Sequence, residues 1–219
     1  MGNPWHGLEA LANVRNLCLG AAVFFLARTL ALLLFMNRIR HEELEGRCRK
    51  SLWYNAVPFV IFFLIFVVWT FAAKGFAVNP ETGEVFMQQN KYFTNLLEMP
   101  LVFVFFGLGV LAVLYGIVST LLCKNSRKGI WFSGIGTVCT VCCLLLITGY
   151  NNTAFYPSYS DLQSSLTIHN ASSSEFTLRA MSIVSLFIPF VLGYIFYAWN
   201  ALEKKRTDLD EVNAEDHGE

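Results

Sequence analysis

The chain has 219 residues, 55% of them apolar, and its 16 lysines and arginines are balanced by 16 acids. Zero net charge gives no electrostatic footprint for nucleic acid, so no nucleic-acid partner is expected. The apolar residues run in long unbroken blocks without the polar face that soluble helices keep, which excludes a soluble helical core.

Five blocks are long enough to cross roughly 30 Å of hydrocarbon as helices of about 20 residues. They are about Val14–Asn37, Leu52–Ala73, Glu98–Leu122, Ile130–Gly149 and Thr177–Asn200. The expected architecture is an all-α integral membrane protein: five transmembrane helices in one bundle over 1–207, surrounded by membrane lipid, then an acidic cytoplasmic tail over 208–219. The segment before the first span has no basic stretch, so no cleavable signal peptide is expected, and His6 stands where myristoylation wants Ser or Thr.

The first span carries Arg28, the one ionisable side chain deep in any span. It lies about 14 Å from the cytoplasmic end of its helix, beyond easy snorkelling. A central arginine costs roughly 2.5–3.5 kcal/mol to insert, which surrounding Leu and Phe offset. The expectation is an interior-facing arginine, satisfied by Thr29 or Asn55 or by another subunit. Glu98 lies about 20 Å away along the membrane normal and is a poor partner.

Arg38, Arg40, Arg47, Arg49 and Lys50 follow the first span; Lys124, Arg127 and Lys128 follow the third; Lys204, Lys205 and Arg206 follow the fifth. The second loop has only Lys74 and Lys91, and the fourth has no basic residue before Arg179. The positive-inside rule then places the N-terminus outside and the C-terminus in the cytoplasm. Trp5, Trp53, Trp69, Trp131, Tyr150, Tyr197 and Trp199 cluster near span ends, where such rings anchor at headgroup level.

Pro58 and Pro189 fall inside spans and should kink them, while Pro100 sits in a first turn, where proline is tolerated. Glu98 opens the third span, either as an acid facing the positive end of the helix dipole or in a proton-uptake or quinone-headgroup role. Gly107, Gly109 and Gly116, with Ser133, Gly134, Gly136, Thr137 and Thr140, mark expected helix contacts. The six cysteines avoid the two loops placed outside, so no disulfide framework is expected; Cys139, Cys142 and Cys143 are read as packing rather than as metal ligands. The histidines (His6, His41, His169, His217) all lie outside the spans, so no haem ligand is expected at depth. No nucleotide-binding or hydrolase motif occurs, and no catalytic residue or metal site is assigned. Asn151-Asn152-Thr153 and Asn170-Ala171-Ser172 match the weak glycosylation pattern.

The last loop is the most specific stretch. It reads Phe155-Tyr156-Pro157, then Ser165-Leu166-Thr167, Asn170-Ala171, Ser172-Ser173-Ser174 and Thr177-Leu178, before a helix with Pro189, Leu192, Tyr194, Tyr197 and Trp199. Together with Arg28-Thr29 and Asn3-Pro4-Trp5, this resembles subunit II of cytochrome bd quinol oxidase, in a Bacteroidetes-like form. The family's subunit II is nearly twice as long, with about nine spans in two similar halves; this chain resembles the second half, so Met1 is either internal to a longer protein or the start of a split-gene product. The resemblance implies a bacterial inner (cytoplasmic) membrane protein whose partner, subunit I, carries haem b and haem d. It also implies quinol as electron donor, possible quinone in the complex, and oxygen reduced to water with a proton gradient generated without pumping. This chain would stabilise subunit I and not be catalytic alone. The rival class is a small polytopic transporter or an assembly scaffold; a solute path would need polar residues on one shared face at the midplane, where Arg28 stands nearly alone.

Overall fold

The computed structural model describes residues 13–39, 41–123, 128–158 and 160–203. Asn3-Pro4-Trp5, Arg40, Lys124, Arg127, the basic run after the fifth span and the acidic tail lie outside the described residues. Five helices are long and apolar enough to cross a membrane: Val14–Arg38, Glu42–Ala72, Pro100–Leu122, Gly129–Gly149 and Glu175–Ala201. The protein is an all-α integral membrane protein in its spans.

Helix α1 (Val14–Arg38) starts at Asn13, whose side chain accepts the Arg15 amide at 3.0 Å, and has Arg38 in its last turn, where a cation suits the negative end of the helix dipole. Helix α2 (Glu42–Ala72) begins ten residues before the apolar block read from the sequence. His41 caps it, and Glu42, Glu43 and Glu45 fill the first turn, where acids stabilise free N–H groups. A hydropathy reading sees only where a helix enters hydrocarbon, so this polar lead escaped it. Pro58 sits inside the uninterrupted α2.

The second loop folds rather than wandering. Strands β1 (Lys74–Val78) and β2 (Val85–Gln89) pair antiparallel, with Lys74 opposite Gln89 and Val78 opposite Val85. Between them Asn79 accepts the Glu81 amide on its side chain at 3.0 Å, and Gly83 takes φ +74°, a conformation glycine adopts without cost. Residues 152–154 add to the free edge of β1: Val78 N–H donates to Asn152 O at 2.9 Å and Ala154 N–H to Phe76 O at 3.1 Å. Phe76, Val78, Val85 and Ala154 form a small core. Helix α3 (Lys91–Glu98) follows Asn90, which is left-handed at φ 54°, and buries Tyr92, Asn95 and Leu96 on one face.

Helices α4 (Pro100–Leu122) and α5 (Gly129–Gly149) make a close pair. A Cβ on Gly116 would lie 2.5 Å from the Gly129 carbonyl oxygen and would also strike the Ser133 hydroxyl; one on Gly136 would lie 2.7 Å from the Gly109 carbonyl. Small residues here let backbones touch, and dispersion and weak Cα–H contacts replace the missing hydrophobic drive in lipid. Ser133 Oγ donates across the pair to Val113 O at 3.2 Å, and Cys139 Sγ to Phe105 O at 3.3 Å. Part of the cysteine run thus lies in the helix contact. Two expected contact residues face elsewhere: Gly107 and Gly134 have nothing within 4 Å of a built Cβ. A further apolar cluster joins α1, α2 and α4 through Ala22, Leu33, Met36, Leu52, Ala56, Phe59, Val113 and Ile117.

The chain divides into two compact units after Ile168. The short α6 (Ile168–Ala171) lies at that boundary. In the second unit, α7 (Glu175–Ser185) is capped by Ser174 and carries a Glu175–Arg179 ion pair at 2.6 Å. It gives way to α8 (Ile188–Glu203) at Leu186 and Phe187, whose N–H groups donate back three residues to Ile183 and Val184. Pro189 supplies no N–H and so interrupts the ladder where the sequence placed a kink.

Gly116→Ala is expected to destabilise the protein by roughly 1–3 kcal/mol through overpacking, while Gly107→Ala and Gly134→Ala stay within about 0.5 kcal/mol. Unfolding in mixed detergent micelles measures all three; equal losses would contradict the pairing described.

Candidate functional site

Three places gather the polar residues of the described chain. The first is where α2 ends, α4 begins and α5 ends. Helix α5 closes there and leaves carbonyls unpaired within hydrocarbon, which is costly unless a side chain meets them. Asn95, fully buried, donates its amide to Ile147 O at 2.9 Å. Asn151 donates to Asn95 Oδ1 at 3.4 Å and to Glu98 Oε2. The chain Glu98–Asn151–Asn95–Ile147 therefore ends on a backbone carbonyl, which accepts a hydrogen bond but carries no proton onward. Its chemistry is positional.

Glu98 is not in the first turn of α4. It closes α3, at the negative end of that helix dipole, because Pro100 occupies the first position of α4 and pushes Met99 out of helical geometry, to φ −112° and ψ 80°. The donated Asn151 amide offsets what the dipole withholds. The same amide use bears on the glycosylation pattern: Asn151 is hydrogen-bonded, and the Thr153 hydroxyl that the pattern needs is buried.

The second place is the loop whose spelling carried the resemblance. Its two quoted pieces pair with each other: Leu166 N–H donates to Tyr156 O at 2.9 Å, and Tyr156 N–H returns to Leu166 O at 3.3 Å. Ser165, fully buried, accepts the Ser158 amide on Oγ at 3.0 Å, and Thr167 is buried beside it. Asn170 and Ala171 fall in α6; Ser173 and Thr177 flank the Ser174 cap, whose hydroxyl accepts the Thr177 amide at 3.4 Å. Between the two pieces Asp161 caps a 3-10 turn over Leu162–Ser164, accepting from Gln163 N at 3.1 Å and Ser164 Oγ at 2.7 Å. That turn presents the Gln163 amide to both backbone groups of Val85, at 3.1 and 3.0 Å, and so clamps the hairpin to the loop. The hydrogen bonds from Ser164 and Gln163 hold the Asp161 carboxyl below its usual range.

The third place is Arg28, and here the expectation is corrected. Arg28 lies on the exposed side of α1, with Cζ 5.6 Å from the centre of the Phe24 ring and no hydrogen-bonding partner among the described residues. Thr29 is fully buried with an unpartnered hydroxyl, and Asn55 donates its amide to Ser51 O at 2.7 Å, so neither satisfies the guanidinium. The two residues face the bundle because they sit a helical step away from the exposed stripe. A span apolar on all sides offers no moment by which a sequence reading could tell inside from outside.

Two residues that the sequence reading passed over are structural. Arg49 donates to the carbonyls of Thr120 and, at 3.1 Å, Leu121, closing the C-terminal end of α4. Its signal was spacing: Arg49, Leu52 and Ala56 share one face of α2. Asn95 had the same signal beside Tyr92 and Leu96. Between α1, α2, α4 and α5 lies a cavity of about 130 Å³, lined by apolar side chains with Thr137 and Thr140. Those hydroxyls already donate to Ser133 O and Gly136 O at 2.7 and 2.8 Å, so the cavity offers an ion nothing.

Asn95→Leu is expected to cost roughly 1–3 kcal/mol, since it strands a buried carbonyl; faster amide exchange at 147–154 would report it. The Asp161 carboxyl is depressed in the folded protein, so its contribution is present above the ordinary aspartate range and lost as pH falls through the folded value. Protection of the Val85 amide, taken relative to its intrinsic exchange rate, should therefore fall in acid below about pH 4, and Asp161→Asn should flatten that response.

The chain matches the family described as cytochrome bd terminal oxidase subunit II over residues 1–202. It is similar to a probable cytochrome oxidase subunit 2 of Haemophilus influenzae, 25% identical over 173 residues covering 74% of this chain and 44% of that protein. It is likewise similar to the cytochrome bd-I ubiquinol oxidase subunit 2 of Escherichia coli K12, 25% identical over 210 residues, 90% of this chain and 51% of that protein. The chain thus spans about half the length of the curated relatives it matches. With the match running through all five spans, the chain belongs to the cytochrome bd terminal oxidase subunit II family.

Proposed function

We propose that this chain is the non-haem part, the second half of subunit II, of a cytochrome bd-type terminal oxidase in the bacterial inner membrane. The assembled enzyme oxidises quinol on the outer side and reduces oxygen to water with cytoplasmic protons, generating a gradient without pumping. The observation that carries the reading is the family match through residues 1–202. Loop charges orient the chain with its N-terminus outside and its C-terminus in the cytoplasm.

Haem b and haem d, which supply the electron transfer and oxygen chemistry, belong on the partner, subunit I. The absence of histidine from the spans of this chain supports placing the haem ligands on the partner. What this chain contributes is a rigid wall. The α4–α5 pair is fixed by backbone contact, α4 is closed by Arg49 and α5 by Asn95, and such a wall stabilises a partner without joining its redox steps. Quinol reaches the complex from the lipid. A transporter fits less well, because the hydroxyls at membrane depth in α4 and α5 are spent on carbonyls.

Tagged chain purified from native membranes in mild detergent should bring down a larger polypeptide whose reduced spectrum has haem b and haem d bands. A colourless preparation that stays colourless when the rest of subunit II is supplied would overturn the oxidase reading.

A further inference from the structure

We infer that the exposed face of α1 around Arg28 is a docking surface for a transmembrane helix of a different polypeptide segment, one bearing an aspartate or glutamate near the bilayer midplane. Arg28 lies ten residues before the end of α1 and fourteen after its start, about 15 and 21 Å along the axis, too deep for its head to reach either headgroup layer. The Phe24 ring, 5.6 Å from the guanidinium carbon, is a weaker partner than a carboxylate would be. The face is built for approach. Leu17, Gly20, Phe24, Ala27, Ala31 and Phe35 recur at three- and four-residue steps on the exposed side, and a Cβ on Gly20 would meet nothing within 4 Å.

The sequence names what cannot be the partner. None of the 16 acids lies within 14–38, 52–72, 100–122, 129–149 or 176–202. No other span of this chain can therefore neutralise Arg28 at its depth, and a second copy of the chain cannot either. Charge complementarity calls for a carboxylate from elsewhere. The proposal does not rest on the oxidase reading, since the partner helix is recognised by its acid and not by a haem.

The test places a photo-crosslinking phenylalanine derivative at Ala27 or Ala31 of the full chain and irradiates native membranes. The expected adducts contain a transmembrane peptide of another sequence with an Asp or Glu within one helical turn. Arg28→Leu should lower the adduct yield at least ten-fold, and Arg28→Lys should keep most of it. Because Arg28→Leu could act by misfolding, Arg28→Glu is combined with the partner acid changed to arginine; restored adducts support the pairing and absent ones overturn it. Adducts with lipid alone, with this chain's own sequence or with an acid-free helix also overturn it. An acid-bearing helix from a polypeptide that purifies in no complex with haem b and haem d bands keeps this inference and removes the oxidase reading; a haem-bearing partner held through an acid-free helix does the reverse.

Discussion

Much of this molecule depends on how closely α4 and α5 approach. In lipid no hydrophobic force draws two apolar helices together, so association falls to dispersion and to polar contacts between backbones. Gly109, Gly116, Gly129 and Gly136 bring no side chain of their own into the contact, and Ser133 reaches across to a carbonyl of α4. Close contact also requires that the hydroxyls inside it be harmless. Thr120 and Thr140 meet that need by donating to Gly116 O and Gly136 O in their own helices. These hydroxyls of the pair are thus satisfied by its own carbonyls, and the apolar cluster on α1 and α2 packs against its α4 side.

Such a pair is only as firm as its ends. A helix that stops inside or at the edge of hydrocarbon leaves carbonyls without water. Arg49 closes α4 at one end of the bundle and Asn95 closes α5 at the other, and both arrive from neighbouring elements rather than from the helix they serve. That explains why α2 extends beyond its apolar block and why α3 exists at all. Each carries one polar side chain to a place where a backbone group would otherwise be stranded. The hairpin and the Gln163 clamp then tie the two polar loops at the α3 end into one layer.

The spans were legible because burial in lipid demands unbroken apolar length, and length survives in the sequence as composition. The direction each side chain faces was not. Arg28 was expected inside, yet it is exposed, because a helix apolar all round has no moment to read. Glu98 reads as the start of a span because it precedes the apolar block; Pro100 alone marks where α4 begins, and only with α3 in view does Glu98 become the end of something else. The hairpin was missed because its strands are short and its alternation is blurred, with Val85 buried and Phe86 exposed next to it. The loop spelling, by contrast, pointed correctly to the family while saying nothing of its geometry. Phe155-Tyr156-Pro157 and Ser165-Leu166-Thr167 are partners across a small bridge, a relation that only the fold supplies.

An exposed apolar face is weak information in a membrane protein, since lipid covers it as well as a partner would. The faces of α4 and α5 that carry Leu111 and Leu145 illustrate this: both residues are more than 60% exposed, and neither says what lies against it. A charge on such a face is different in kind. Lipid tails cannot answer it, its own chain has no acid at that depth, and every copy of the chain has the same lack. The same deficit that makes Arg28 costly in isolation makes it selective in an assembly. A helix with no carboxylate gains nothing by docking there, whereas one with a carboxylate removes the cost of both charges at once.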